Sequence, residues 1–132
     1  FFQYRTYHGC AMSIPNQLAS IAAWNDEDHV IENRRLYTQK FAAVLEILSP
    51  LMDVQQTDAS FYLWAKTPIN DEEFTQRLFA QQQVTVLPGS YLSRTIDGVN
   101  PGDNRIRLAL VAEVEECIEA AKRIRNLLES LS

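Results

Sequence analysis

No apolar run in this sequence approaches the roughly 20 residues that a membrane span requires. The longest runs, such as Phe61-Tyr62-Leu63-Trp64-Ala65, stop well short of it. Positive charge is also scarce. The formal net charge is -5, and Arg34-Arg35, Arg105/Arg107 and Arg123/Arg125 are scattered among acids. No basic stripe is left to neutralise phosphates, which argues against a nucleic-acid surface. Cysteine is limited to Cys10 and Cys117, far apart and outside any C-x-x-C pair. That usage reads as reduced thiols, not as a disulfide framework. His8 lies close to Cys10, but His29 is the only other imidazole and no metal-ligand spacing results.

Catalytic signatures are missing as well. There is no Gly-rich phosphate loop, no H-x-x-x-H pair and no G-x-S-x-G elbow. Lys40, Lys66 and Lys122 are the only amines that could form a Schiff base. Lys40 and Lys122 fall in helices whose charges read as solvated, and Lys66 ends a strand. The beginning, Phe1-Phe2-Gln3-Tyr4-Arg5, has neither a Met nor a charged head followed by an apolar signal core. It reads as a cut, and the chain as a piece of something longer.

What is present suits a single globular domain: 132 residues, 46% apolar and 22% charged, enough for one real core but not comfortably for two. Residues 1–13 have no clear period and read as an extended opening segment. Ser13 then caps a first helix, with Pro15 in its opening turn and Leu18, Ile21, Ala22 and Trp24 on its apolar side. Asn25-Asp26-Glu27-Asp28 starts a second, long helix that reaches about Ser49, where Pro50 stops it. Val30, Tyr37, Phe41, Val44 and Leu48 give it one apolar side along its full length.

Met52 to Gln56 alternates weakly, and Phe61 to Lys66 reads as a strong strand. Asn70-Asp71-Glu72-Glu73 is a capping-box start for a short helix that buries Phe74 and Leu78 and closes at Gln81 to Gln83. Val84 to Leu87 reads as a strand ending at Pro88-Gly89. An irregular segment, Ser90 to Asn104, leads into a strand from Asn104 to Val111. The last helix, from Glu113 to Leu131, has Val114, Cys117, Ile118, Ala121, Ile124, Leu128 and Leu131 on one side. Its acids precede its bases, with a Glu119 to Arg123 pair. The order predicts an α+β two-layer sandwich: a small mixed or antiparallel sheet with helices packed on one face, preceded by a long connecting helix.

The penultimate element carries the one chemically suggestive group. Strand alternation sends Ile106, Leu108 and Leu110 to one face, and Arg105, Arg107, Ala109 and Val111 to the other. A guanidinium offers five donors in a planar fork that matches a carboxylate, and a strand holds that fork rigidly. From the residues alone, solvation or a structural acid accounts for most such arginines, and a ligand role is the sharper alternative.

The arrangement resembles the carboxy-terminal part of fold-type-I, class I/II pyridoxal-phosphate aminotransferases. The likeness rests on the long connecting helix, Ser60-Phe61-Tyr62-Leu63-Trp64, Val86-Leu87-Pro88-Gly89-Ser90, and Arg107-Leu108-Ala109-Leu110 before the last helix. Three further stretches resemble the succinyldiaminopimelate aminotransferase branch of bacterial lysine and cell-wall precursor synthesis. They are Tyr4 to Ser13, Ala22 to Glu27, and Leu87-Pro88-Gly89-Ser90-Tyr91-Leu92-Ser93-Arg94.

The resemblance implies that residues 1–24 are the end of a large domain and a first helix, and that residues 25–132 are the small, substrate-side domain. It assigns Arg107 to the substrate α-carboxylate and leaves Arg105, two residues early, outside the motif. It places Pro88, Gly89 and Arg94 near the substrate mouth. There Arg94 is either a partner for a distal carboxylate or a plain surface arginine. The segment Gly9 to Ser13 would approach a neighbouring subunit's site. The family's Ser-x-x-Lys stretch and the phosphate-binding arginine after it do not occur here, so no catalytic, cofactor-binding or metal-binding residue is expected in this chain. Pyridoxal 5'-phosphate would be bound by a large domain upstream.

The whole protein would be a cytoplasmic homodimeric transaminase using a dicarboxylic amino acid with 2-oxoglutarate and glutamate, with no nucleic-acid or membrane partner. The piece alone would be inactive. One alternative is a freestanding α+β module that binds amino acids or a partner protein. Another is a related cofactor enzyme that decarboxylates or forms carbon–carbon bonds.

Overall fold

The computed structural model describes residues 1–9 and 12–131. The chain divides into two compact units, Phe1–Arg34 and Arg35–Ser132. In the first, the expected extended opening is instead a short helix, α1 (Phe2–Tyr7). Its residues interact at helical spacing: Tyr4 stacks on His8 with centroids 4.6 Å apart, and the Thr6 hydroxyl donates to the Phe2 carbonyl at 3.1 Å. Cys10, weighed above with His8, lies outside the described residues, as does Ala11. Helix α2 (Ile14–Asn25) starts after Ser13 with Pro15 in its first turn, but the Ser13 hydroxyl makes no capping bond. The Gln17 side-chain amide bonds the Met12 carbonyl at 2.7 Å instead.

Helix α3 (Asp28–Leu48) runs as one piece. In the second unit its Phe41, Val44 and Leu48 are buried, as their spacing predicts, and Tyr37 packs at the margin of the core. Lys40 corrects the expectation of a solvated charge: it is buried, with Nζ 5.0 Å from the centre of the Tyr37 ring. Its stem covers apolar surface while the ammonium meets a π face.

The sheet has three strands in the order β1-β3-β2, all antiparallel: β1 (Tyr62–Lys66), β2 (Leu87–Pro88) and β3 (Arg105–Ala109). Helix α4 (Asp71–Gln82) and helix α5 (Val114–Leu131) complete the unit. Leu63, Ala65, Ile106 and Leu108 point to one side and are buried with Phe74 and Leu78 of α4 and Cys117, Ala121, Ile124 and Leu127 of α5. Each fully buried aliphatic or aromatic side chain here is worth about 1.5–3 kcal/mol. The Asn70 side chain accepts from the N–H groups of Glu72 and Glu73 at 3.1 and 3.2 Å, as the capping pattern predicts. Arg123 pairs with Glu119 at 2.9 Å and also reaches the Gln82 carbonyl at 3.4 Å, tying α5 to the end of α4.

Two expected strands are reduced. Met52 to Gln56 forms no ladder, although its alternation does bury Met52 and Val54, and the Asp53 carbonyl accepts from Lys66 N–H at 2.9 Å. The expected strand from Val84 to Leu87 pairs only at Leu87 and Pro88. The irregular segment opens with a 3₁₀ turn at Gly89–Leu92 and holds one isolated bridge, Ile96 to Val99. Among the described residues, no helix is long and apolar enough to cross a membrane.

Candidate functional site

Because β3 is the central strand, Arg107 has a strand neighbour on each side, while Arg105 and Ala109 have one only from β1. The register sets Trp64 and Leu87 opposite Arg107, Tyr62 opposite Ala109, and Lys66 opposite Arg105. All of these lie on the face that the helices leave open, since the alternate residues of β1 and β3 are the buried ones. The Arg107 guanidinium carbon stands 5.5 Å from the centre of the Tyr62 ring, within cation–π range. Arg107 is only partly buried, but its Nε is shielded from solvent and has no hydrogen-bond partner. It forms no ion pair among the described residues. A shielded N–H without an acceptor is costly, and a bound carboxylate would satisfy it.

The loop from Gly89 to Asn104 packs beside β2 and β3. Its two ends are pinned by Asp71, which is fully buried at the start of α4. One carboxylate oxygen accepts from the Ser90 N–H at 2.9 Å and the Ser90 hydroxyl at 2.6 Å, and the other from the Asn104 N–H at 3.2 Å. Burial alone would push this carboxyl up. The Ser90 side-chain and backbone bonds and the Asn104 backbone bond outweigh it and hold the group below its ordinary value.

Gly89 and Gly102 meet back to back. A Cβ on either would overlap the other's carbonyl oxygen, and one on Gly89 would also stand 2.9 Å from the Trp64 indole. The Ser93 hydroxyl lies within bonding distance of the Gly89 carbonyl (3.0 Å) and of the Asn100 side chain, whose oxygen accepts from Gly102 N–H at 3.0 Å.

Of the residues singled out from sequence, Arg107 stands on the open face as alternation predicts. Pro88 and Gly89 are buried at the packed base of the loop, and Arg94 is exposed on the loop beyond the 3₁₀ turn. Pro88 and Gly89 therefore lie close to the arginine strand, with Pro88 paired to Ile106. Tyr62, Trp64 and Asp71 were not singled out. Alternation along β1 places the two aromatic residues on one face, but only the pairing register brings that face to Arg107. Asp71 looks like any acid in a first helical turn until its partners at Ser90 and Asn104 are seen.

Known proteins share this fold. The family model for aminotransferases of class I and II matches residues 5–124. A crystal structure of an aminotransferase from Neisseria meningitidis is 52% identical with a TM-score of 0.84, covering 95% of this chain and 32% of that one. A probable N-succinyldiaminopimelate aminotransferase from Thermus thermophilus is 32% identical with a TM-score of 0.64, covering 77% and 26%. The LL-diaminopimelate aminotransferase of Aquifex aeolicus is 30% identical over 84% of this chain and 28% of its own length. The chain thus spans less than a third of the relatives it matches. With a family match that runs through both units to the last helix, the chain belongs to the class I and II aminotransferases.

Proposed function

We propose that this chain is the substrate-side portion of a transaminase and that Arg107 grips the α-carboxylate of its amino-acid substrate. The observation that carries the reading is a guanidinium fixed on a central strand, on an open face, with a shielded donor left unpartnered. A bidentate carboxylate bond at that fork fixes the orientation of the Cα substituents, and such positioning is a large part of catalysis. Tyr62 lies against the guanidinium and limits its movement. The family implies pyridoxal phosphate, which supplies an electron sink when bound. That this chain spans less than a third of its relatives supports placing the cofactor's site in another portion of the whole protein, with this chain inactive by itself.

For the substrate we propose N-succinyldiaminopimelate with 2-oxoglutarate, within diaminopimelate and lysine synthesis, in a cytoplasmic homodimer. The name of the Thermus protein supports the succinylated donor. The name of the Aquifex relative favours unsuccinylated LL-diaminopimelate as the second reading. Steady-state kinetics of the full-length protein with both donors separates them. In that protein Arg107→Lys keeps the charge and loses the fork. Its kcat/KM should fall by about 10²–10³-fold, roughly 3–4 kcal/mol of transition-state stabilisation. Near-normal kinetics would reject the role.

A further inference from the structure

Arg107 is not the only cation on the open face. Arg105 lies two residues earlier on the same side of β3, so the two Cα atoms are about 7 Å apart. Arg105 forms no ion pair among the described residues, and Lys66 stands directly opposite it in the register. Like charges opposed across strands are unfavourable, and an anion placed against them removes the penalty. Arg105 also lines an open cleft of about 340 Å³ with Asp53, Gln55, Gln56, Thr57 and Trp64. Trp64 is shared: it opposes Arg107 in the ladder and walls the cleft of Arg105. Trp64 therefore borders both the Arg107 site and this cleft. The cleft's surroundings suit an acidic, hydrogen-bonding tail, with one guanidinium, two side-chain amides and a hydroxyl. Asp53 is the one acid in its lining and balances Arg105 there; Lys66, opposite Arg105 in the register but outside that lining, adds a second positive charge to the same face.

We propose that Arg105 is a specificity-determining residue that binds the second carboxylate of a dicarboxylic or acidic N-acyl amino acid whose α-carboxylate is held by Arg107. Gln55, Gln56 and Thr57 bond the carbonyl and amide groups between the two ends. This rests on the transaminase reading above and takes the distal role away from Arg94.

The test compares kcat/KM for L-glutamate and N-succinyl-LL-diaminopimelate with that for L-alanine, which has no second carboxylate. It uses the full-length protein and its Arg105→Gln, Arg105→Lys, Arg94→Gln and Arg107→Gln variants. Arg105→Gln should lose at least 30-fold on both acidic donors, mainly through KM, and stay within 3-fold on alanine. Arg105→Lys should recover part of that loss, and Arg107→Gln should lose activity on all three donors. Equal losses on all donors in Arg105→Gln, or no loss on any, would overturn the proposal. So would the acid-selective loss appearing in Arg94→Gln instead. If wild type fails to transaminate, or Arg107→Gln retains full activity, the α-carboxylate reading itself falls and carries this inference down with it.

Discussion

A carboxylate with no access to solvent, Asp71, joins residues 19 and 33 positions away in the chain, and so sets where the arginine strand begins. Removing it leaves the Ser90 and Asn104 N–H groups without acceptors in a partly buried site. Asp71→Ala should cost about 1.5–3 kcal/mol at neutral pH, the range for hydrogen bonds to a charged group. The pH dependence follows from its depressed folded value. A carboxyl held below its unfolded value of about 3.9 contributes its full stabilisation above that pH and loses it as pH falls through the folded value. The stability gap between wild type and Asp71→Ala, read from urea denaturation, should be constant from pH 7 to about 5 and narrow below about 4. A gap that widens in acid would contradict this account. Cys117 behaves in the opposite sense. Burial pushes its thiol up, Lys40 partly offsets that, and Glu116 and Glu113 add to the rise, so it is a packing residue at neutral pH.

Secondary-structure elements differ in how plainly their residues announce them. The amide cap of α4 was readable because Asn70 followed by acids has one mechanical meaning, and the structure shows both capping bonds. Asn70→Ala should lower stability by about 1 kcal/mol in chemical denaturation, with Asn70→Asp or Asn70→Ser close to neutral. The faces of β3 were equally legible, since Ile106 and Leu108 must be buried for the strand to pack at all. Long-range pairing was not legible. Met52 to Gln56 carries a strand's alternation and buries the right residues, yet finds no ladder partner, while Leu87-Pro88 finds one for only two residues. The candidate site was legible to the same extent. Arg107 and the shared face of Arg105 follow from their own strand, whereas Tyr62 and Trp64 gain their meaning from a register that no local pattern encodes. The opening helix was missed because its stabilising contacts, Tyr4 with His8 and Thr6 with Phe2, are weak and leave no apolar stripe.

At the scale of the molecule, the first unit is short of things to bury. Phe2, Tyr7, Ile14, Leu18, Ile21, Trp24 and Ile31 are all more than half exposed. Apolar side chains exposed in such number favour association when no partner covers them. Prepared by itself, the chain should self-associate. Light scattering across a concentration series should show rising mass, and Ile21→Glu with Trp24→Glu should bring it back towards monomer. A monodisperse monomer for the unaltered chain would argue against exposed surface as the driving force.

The back-to-back glycines at 89 and 102 bear on how such a protein can diversify. With both ends of the intervening segment fastened, the chain between them can grow or shrink while the floor beneath it stays put. Doubling the length of a flexible loop adds only about 0.6 kcal/mol of closure entropy. Descendants of one ancestor could therefore exchange rims of different length without disturbing the central strand that carries Arg107.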